Sequence, residues 1–277
     1  MNMSFCRSFF RNPSAKVGMA IIVVLLFITV VGPFFVASPF EQNVANKLQG
    51  PSWQHWFGTD DFGRDLLARM VVGARYSLSA GILSVLLGLT GGLLLGVLAG
   101  YYGGYADKTI MMVCDILLAF PSVLLALAIV IVMEPGIYTP MVAVGISSIP
   151  VFARLVRAQF MYLRESSFIE ATRSSGAGDV RIIFRHLLPN SIGPIIIQAT
   201  LRIGSAILTA ATLSFLGLGA QPPTPEWGAI LSSARRYLWT GAHMAMIPGL
   251  AITLTVVAVN LIGDALRDYF DPRTRGI

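Results

Sequence analysis

Few residues in this 277-residue chain could do chemistry. Asp60, Asp61 and Asp65 stand close together, and the histidines are His55, His186 and His243. Three aspartates could hold a cation, but their spacing misses the calcium-loop pattern. The histidines share no ligand spacing. Cys6 lies in a basic N-terminus and Cys114 in an apolar run, so the pair makes neither a disulfide framework nor a zinc pattern. The sequence has no G-x-x-x-x-G-K-[ST] loop to cradle a nucleotide phosphate. Two features remain. Arg202 is a lone cation inside a long apolar run, and residues 170–189, EATRSSGAGDVRIIFRHLLP, form a polar, basic segment between two such runs. These residues offer binding and charge rather than bond making.

The elements that must position them are set by composition. Hydrophobic residues make up 55% of the chain and charged residues 12%, against about 25% charged in soluble domains. The mean hydropathy is +0.71. A large soluble core would need charged surface that is missing here, so the chain reads as an integral membrane protein. Its net charge of +6 sits mostly in short loops between apolar runs. That placement orients a membrane protein and does not call for nucleic acid.

Six segments are long enough to cross a hydrocarbon core ~30 Å thick: 17–36, 78–100, 110–133, 139–160, 192–216 and 246–262. Helices are expected, because lipid offers backbone groups no partner. The first segment, preceded by Arg7, Arg11 and Lys16, exceeds the ~7–15 residues of a signal-peptide core and reads as an anchor. Placing the N-terminus inside puts 13 of the 20 Lys and Arg, Arg273 and Arg275 among them, in cytoplasmic segments. Both termini and the 170–189 segment are then expected in the cytoplasm. Gly88, Gly92, Gly96 and Gly100 repeat at i, i+4 and should make a smooth ridge for a close helix neighbour. Pro121, Pro150 and Pro248 are candidate kinks.

In the polar segment, Ser167 and Glu170 have capping-box spacing and predict a helix start. Gly176 suits that helix's C-terminal end. Gly178 allows a turn, and Asp179 caps a second helix ending near Leu187, before Pro189. The residues alone allow two roles. The helix could dock in a partner's groove, with Phe168, Ile169 and Thr172 near its leading end. It could instead rest on lipid headgroups through Arg173, Arg181 and Arg185.

A Glu170-Ala171 pair, Gly176 six residues after the Glu, and then Leu188-Pro189 resemble the coupling motif of ABC importer permeases. The position of the motif's second alanine is Thr172. Three further segments resemble the peptide and nickel branch of that family: HWFGTDDFGRD at 55–65, LSFLGLG running into QPPTPEWG at 213–228, and NLIGDALRD at 260–268. The likeness spans roughly residues 5 to 273 and is closest to the shorter subunit of the dipeptide, oligopeptide and glutathione permeases.

The resemblance implies an all-α polytopic protein: an N-terminal anchor helix plus a five-helix type I permease core. Its parts are residues 1–37 (N-terminus and first span), 38–76 (an external segment with an amphipathic helix), 77–265 (the permease domain, with a coupling loop at 164–190) and 266–277 (a cytoplasmic tail). It implies a transport subunit of the bacterial cell membrane, not an enzyme, embedded in lipid and alternating between two accessible states. A second homologous permease, two ATPase subunits and an extracytoplasmic solute-binding protein are the implied partners. ATP and Mg are expected on the ATPases, with no cofactor in this chain. Phe168, Ile169, Glu170, Ala171, Thr172 and Gly176 are the implied ATPase-coupling residues. Pro222, Pro223 and Trp227 are the implied binding-protein docking residues. The cargo is a dipeptide, oligopeptide or glutathione-like peptide, with nickel chelates as the alternative. An ion-driven secondary transporter would show intramembrane carboxylates or two related halves, whereas only Asp115 lies in a span and no repeat is clear.

Apart from the resemblance, residues 59–73 read as an interfacial helix capped by Thr59 or Asp60. Leu66, Leu67, Met70 and Val71 form its apolar face, and Arg64, Asp65 and Arg69 the opposite one. Three readings of Arg202 stand: it lines the translocation path and meets a peptide carboxylate, it snorkels to the cytoplasmic face, or it pairs with the partner permease. Asp115 is expected to pair with a basic residue at a helix end.

Overall fold

The computed structural model describes residues 12–270. Cys6 and the charges at Arg7, Arg11, Arg273 and Arg275, on which the orientation partly rests, lie outside them. The described chain is helical, with an isolated bridge between Thr59 and Asp65 as its extended pairing.

Five helices are long and apolar enough to cross a membrane: α1 (Pro13–Val31, extended by a 3₁₀ turn Gly32–Phe34), α2 (Leu66–Tyr102), α5 (Thr139–Arg164), α7 (Asp179–Phe215) and α9 (His243–Phe270). The sixth segment expected, 110–133, is not one helix but a bent pair. α3 (Gly104–Leu118) and α4 (Ser122–Val132) meet at 94°. Pro121 stands at this break; it has no N–H to give and crowds the residue before it out of helical space. Pro150 and Pro248 lie inside helices that remain continuous, as membrane helices allow. Two short helices, α6 (Ser167–Ser174) and α8 (Trp227–Ala234), lie at opposite ends of the bundle.

The glycine ridge forms the central seam. A Cβ at Gly88, Gly92, Gly96 or Gly100 would lie 2.8, 2.3, 2.6 and 2.8 Å from the Cβ of Ser148, Phe152, Val156 and Phe160 respectively. Glycines four apart on α2 thus meet larger residues four apart on α5, the register that brings two helix backbones together. α1 attaches at the side, where a Cβ on Gly18 would reach the Ala258 carbonyl of α9 at 2.7 Å.

The interfacial helix expected over 59–73 does not form as a separate element. Residues 58–65 make a tight loop, with Gly58 and Gly63 at φ +76 and +71. A Cβ on Gly63 would strike the Asn43 carbonyl oxygen at 1.8 Å. Asp65, not Thr59 or Asp60, caps the helix through Ala68 N at 2.8 Å. The helix then runs unbroken to Tyr102, because nothing between Leu66 and the second apolar run stops it. At ~1.5 Å per residue α2 is about 55 Å long, so it outreaches a ~30 Å hydrocarbon core. Its two ends, near Met70 and near Tyr101, carry two differently built regions.

Candidate functional site

At the Tyr101 end, α6 stands out from the bundle. Its N-cap is Ser166, whose hydroxyl turns back to the Leu163 carbonyl. The capping box expected at Ser167 and Glu170 is therefore not made; Ser167 is already in the first turn. Gly176 follows the helix at φ +82 with open space around it, the left-handed turn expected after a helix C-terminus. Gly178 precedes the next helix, and Asp179 is its first residue. That helix does not end at Pro189. It passes through a π turn, Ile183–Leu187, and continues as α7 to Phe215. The wider π turn precedes Pro189, whose missing N–H would otherwise interrupt an α-helical ladder.

Two ties hold α6. Ile169, 1% exposed, packs in a cluster with Tyr101, Val156, Phe160, Ile182, Ile183, Leu187 and Ile195. The Tyr101 hydroxyl donates to the Asp179 carboxylate and accepts from Arg173 Nη2 at 3.3 Å. The Tyr101 carbonyl accepts from Arg164 Nη1 at 2.8 Å. One tyrosine at the end of α2 thus clasps both sides of the Gly176 turn. Nothing in the sequence singles Tyr101 out from its neighbours Tyr102 and Tyr105.

These ties leave Phe168, Glu170, Ala171 and Gly176 exposed and Thr172 half-buried, its hydroxyl donating to the Phe168 carbonyl at 2.7 Å. Ile169 was expected at the helix's leading surface, but it points into the bundle and is the anchor. Phe184, 65% exposed, adds a second large apolar side chain beside the turn that sequence reasoning did not select.

The Met70 end is built in the opposite manner. Asp60 Oδ2 accepts from Arg64 Nε at 2.6 Å and stands 3.3 Å from Arg69 Nε, an ion-pair contact without hydrogen-bond alignment. Arg69 Nη1 donates to the carbonyls of Pro39 and Pro223. Asp60, Arg64 and Arg69 are 2, 4 and 5% exposed, so both arginines expected on an open face are buried. Asp65 serves as the helix cap and as the partner of His55 Nδ1 at 2.8 Å. Burial, together with the charge of Asp60, pushes the Asp61 carboxyl above its ordinary value.

Trp227, expected as a docking residue, is 2% exposed, with its indole N–H on the Met70 carbonyl at 3.0 Å. Gly73 makes room for that contact, since a Cβ there would meet Pro225 O at 1.9 Å. Glu226 caps α8 by accepting from Gly228 N and Ala229 N, each at 2.9 Å, and takes a further bond from Ser77 Oγ. Burial raises the Glu226 carboxyl's pKa despite these donors. Pro222 and Pro223 remain exposed. Trp227 therefore fixes this loop from beneath rather than presenting a surface.

Within the spans, Asp115 pairs with Arg154, both more than half exposed, and Asp107 with Arg157. Arg202 is half-buried midway along α7, and no carboxylate among the described residues pairs with it.

Residues 92–276 match the family described as "Binding-protein-dependent transport system inner membrane component". Residues 4–51 match the "N-terminal TM domain of oligopeptide transport permease C". The chain is 48% identical over 266 residues to a dipeptide transport system permease protein of Alkalihalophilus pseudofirmus, covering 96% of this chain and 88% of that one. It is 49% identical over 272 residues to a glutathione transport system permease protein of Escherichia coli, covering 98% and 89%. The Pectobacterium atrosepticum protein of the same name is 48% identical over 275 residues, covering 98% and 91%. Among solved structures, the inward-facing MetNI methionine ABC transporter in its native crystal form superposes with a TM-score of 0.58 at 20% identity. That match covers 73% of this chain and 96% of that one, and it bears on the fold.

Proposed function

The chain belongs to the family of binding-protein-dependent transport inner membrane components and is an ABC importer permease of the cell membrane, and from that premise we propose that it forms half of an ATP-driven path for peptides of dipeptide or glutathione size. The other half is a second, homologous permease. ATP and Mg are held by two separate ATPase subunits, and an extracytoplasmic binding protein delivers the cargo. The single observation that carries the reading is α6: a short helix with Phe168, Glu170 and Ala171 exposed, fastened to the bundle by one buried residue and one tyrosine.

The Tyr101 end faces the cytoplasm in this reading, in keeping with the basic loops there. An ATPase gripping Phe168, Glu170, Ala171, Thr172 and Gly176 moves α6, and Ile169 and Tyr101 pass that motion to α2 and α5. ATP drives transport only by favouring one arrangement of the path over another, so the ATPase contacts on α6 must differ between the two states. At the opposite end, Pro222 and Pro223 form the exposed edge for the binding protein, with Trp227 as their support. The names of the dipeptide and glutathione relatives are the basis for the cargo class.

The test is reconstitution of this chain with its partner permease, ATPases and binding protein in liposomes. Dipeptide-stimulated ATP hydrolysis with uptake is expected, both lost in Gly176→Asp, because an aspartate at φ +82 strains the turn. Uptake that proceeds without ATP and tolerates the variant would refute the reading.

A further inference from the structure

α7 carries a polar track on a helix that otherwise meets the rules of a membrane span. Gln198, Arg202, Ser205, Thr209 and Thr212 recur at steps of four and three, which places them on one face. None of the five is buried within this chain. Much of the rest of the helix packs within the chain, although Leu208 on the flank of the track and Ile192 and Ile196 nearer the Tyr101 end stay exposed. Ala199, Ala206, Ala210 and Leu213 pack in the core with α4 and α5. Ile207 closes on Gly81 of α2, and Gly204 and Leu201 meet Asn260 and Gly263 of α9. The hydroxyls of Ser205, Thr209 and Thr212 donate to carbonyls three or four residues back at 2.8–3.0 Å. Their donors are thereby satisfied, and their lone pairs remain available to an incoming group.

The track has a direction. At the Tyr101 end Gln198 also lines an open cavity of about 590 Å³ with Asn190 and Arg267. From Asn190 to Thr212 the helix rises about 33 Å, close to the ~30 Å of a hydrocarbon core. By contrast, α2 exposes Ile82, Leu83, Leu86, Leu94 and Leu98, and α1 exposes Val23, Val24, Phe27 and Val30, as lipid-facing sides should. An arginine held against acyl chains is strongly unfavourable, and Arg202 has no carboxylate within the described chain to offset that cost.

We propose that this face of α7 is the chain's wall of the cargo path, and that Arg202 is the station where a passing peptide's carboxylate is held midway. This rests on the peptide-importer reading above. A lone guanidinium with the Gln198 amide one turn away matches a carboxylate in charge and in donors, while the lone pairs of Ser205 and Thr209 can accept from a peptide's N–H groups. Asn190, Gln198 and Arg267 continue the polar surface to the open mouth through which cargo leaves.

The test uses the complete transporter in liposomes, with Cys6→Ser and Cys114→Ala as background. Ser205→Cys, Thr209→Cys and Thr212→Cys are each exposed to a charged, water-soluble thiol reagent, with Leu94→Cys on α2 as the lipid-facing control. The three α7 positions should label in the assembled transporter and the control should not. Labelling of the three in the isolated chain but not in the assembled transporter would give this face to the partner permease. No labelling in either would give it to lipid, and either result overturns the proposal. In the second arm, Arg202→Gln should lower dipeptide uptake about tenfold to a hundredfold, the loss expected for one charge-assisted hydrogen bond. Arg202→Lys should restore most of it, with hydrolysis stimulated by the loaded binding protein retained in both. Undiminished uptake in Arg202→Gln removes the carboxylate station. A parent transporter that ignores dipeptide would refute the cargo class instead, while the labelling still decides the wall.

Discussion

The two ends of α2 are held by different physics. At the Met70 end, an aspartate, two arginines, a glutamate and a tryptophan are buried together and tie residues 39, 60–70 and 223–227 into one block. At the Tyr101 end, the α6 turn keeps its charged residues in the open and is fastened by Ile169 and the Tyr101 hydroxyl. Buried ion pairs offer little net stability over apolar packing, yet losing one partner is severe. Such a cluster suits a region that must keep one shape. An exposed helix with one apolar anchor suits a region that another protein is to grip and move as a unit. The rigidity of the long helix between them lets one chain serve both purposes.

The largest expected break in this contrast is Asp60→Ala. It leaves Arg64 and Arg69 buried without their shared carboxylate and should cost about 3–5 kcal/mol. Thermal unfolding of the purified transporter would read this as a large fall in midpoint; an unchanged midpoint would mean the cluster is not the lock described. Ile169→Ala comes next. A fully buried isoleucine truncated to alanine costs about 2–5 kcal/mol, but here the loss should be local. Limited trypsin digestion at Arg173 and Arg181 should accelerate while the midpoint for the bundle stays within a few degrees. Equal loosening at both ends would erase the distinction between them. The smallest effect belongs to Tyr101→Phe. It keeps the ring and removes one hydroxyl whose partners, Asp179 and Arg173, can turn to water, for about 0.5–1.5 kcal/mol. Its informative readout is peptide carried per ATP hydrolysed, which should fall although assembly is intact. An unaltered ratio would reduce the clasp to a packing contact.

Several features were legible because they rest on local pattern. The i, i+4 glycines predicted a close helix neighbour, since a smooth ridge on a helix has few other uses in lipid; that the neighbour is α5 came from the structure. The break at Pro121 and the turn at Gly176 followed from backbone restrictions that travel with those residue types. The basic partner expected for Asp115 is Arg154. Other features were misread for equally physical reasons. Arg64 and Arg69 look like the wet side of an amphipathic helix until Pro39 and Pro223, remote in sequence, supply the carbonyls that bury Arg69. Trp227 looks like a surface aromatic in a proline-rich loop until Gly73 opens a slot for it. Pro189 looks like a helix end, but a π turn just before it lets α7 continue.

By itself, then, the sequence determined the membrane class, which apolar runs become long helices and the motif of the exposed turn, while the helix ends were decided by the fold. Hydropathy, glycine spacing and turn residues act within a few residues of where they stand. Only the tertiary structure decided that Ile169 and Trp227 point inward while Phe168 and Pro222 face out. It also decided that two arginines share one buried aspartate, and that the polar side of α7 is the side no described helix covers. Burial is a property of neighbours, and these neighbours come from segments far away along the chain.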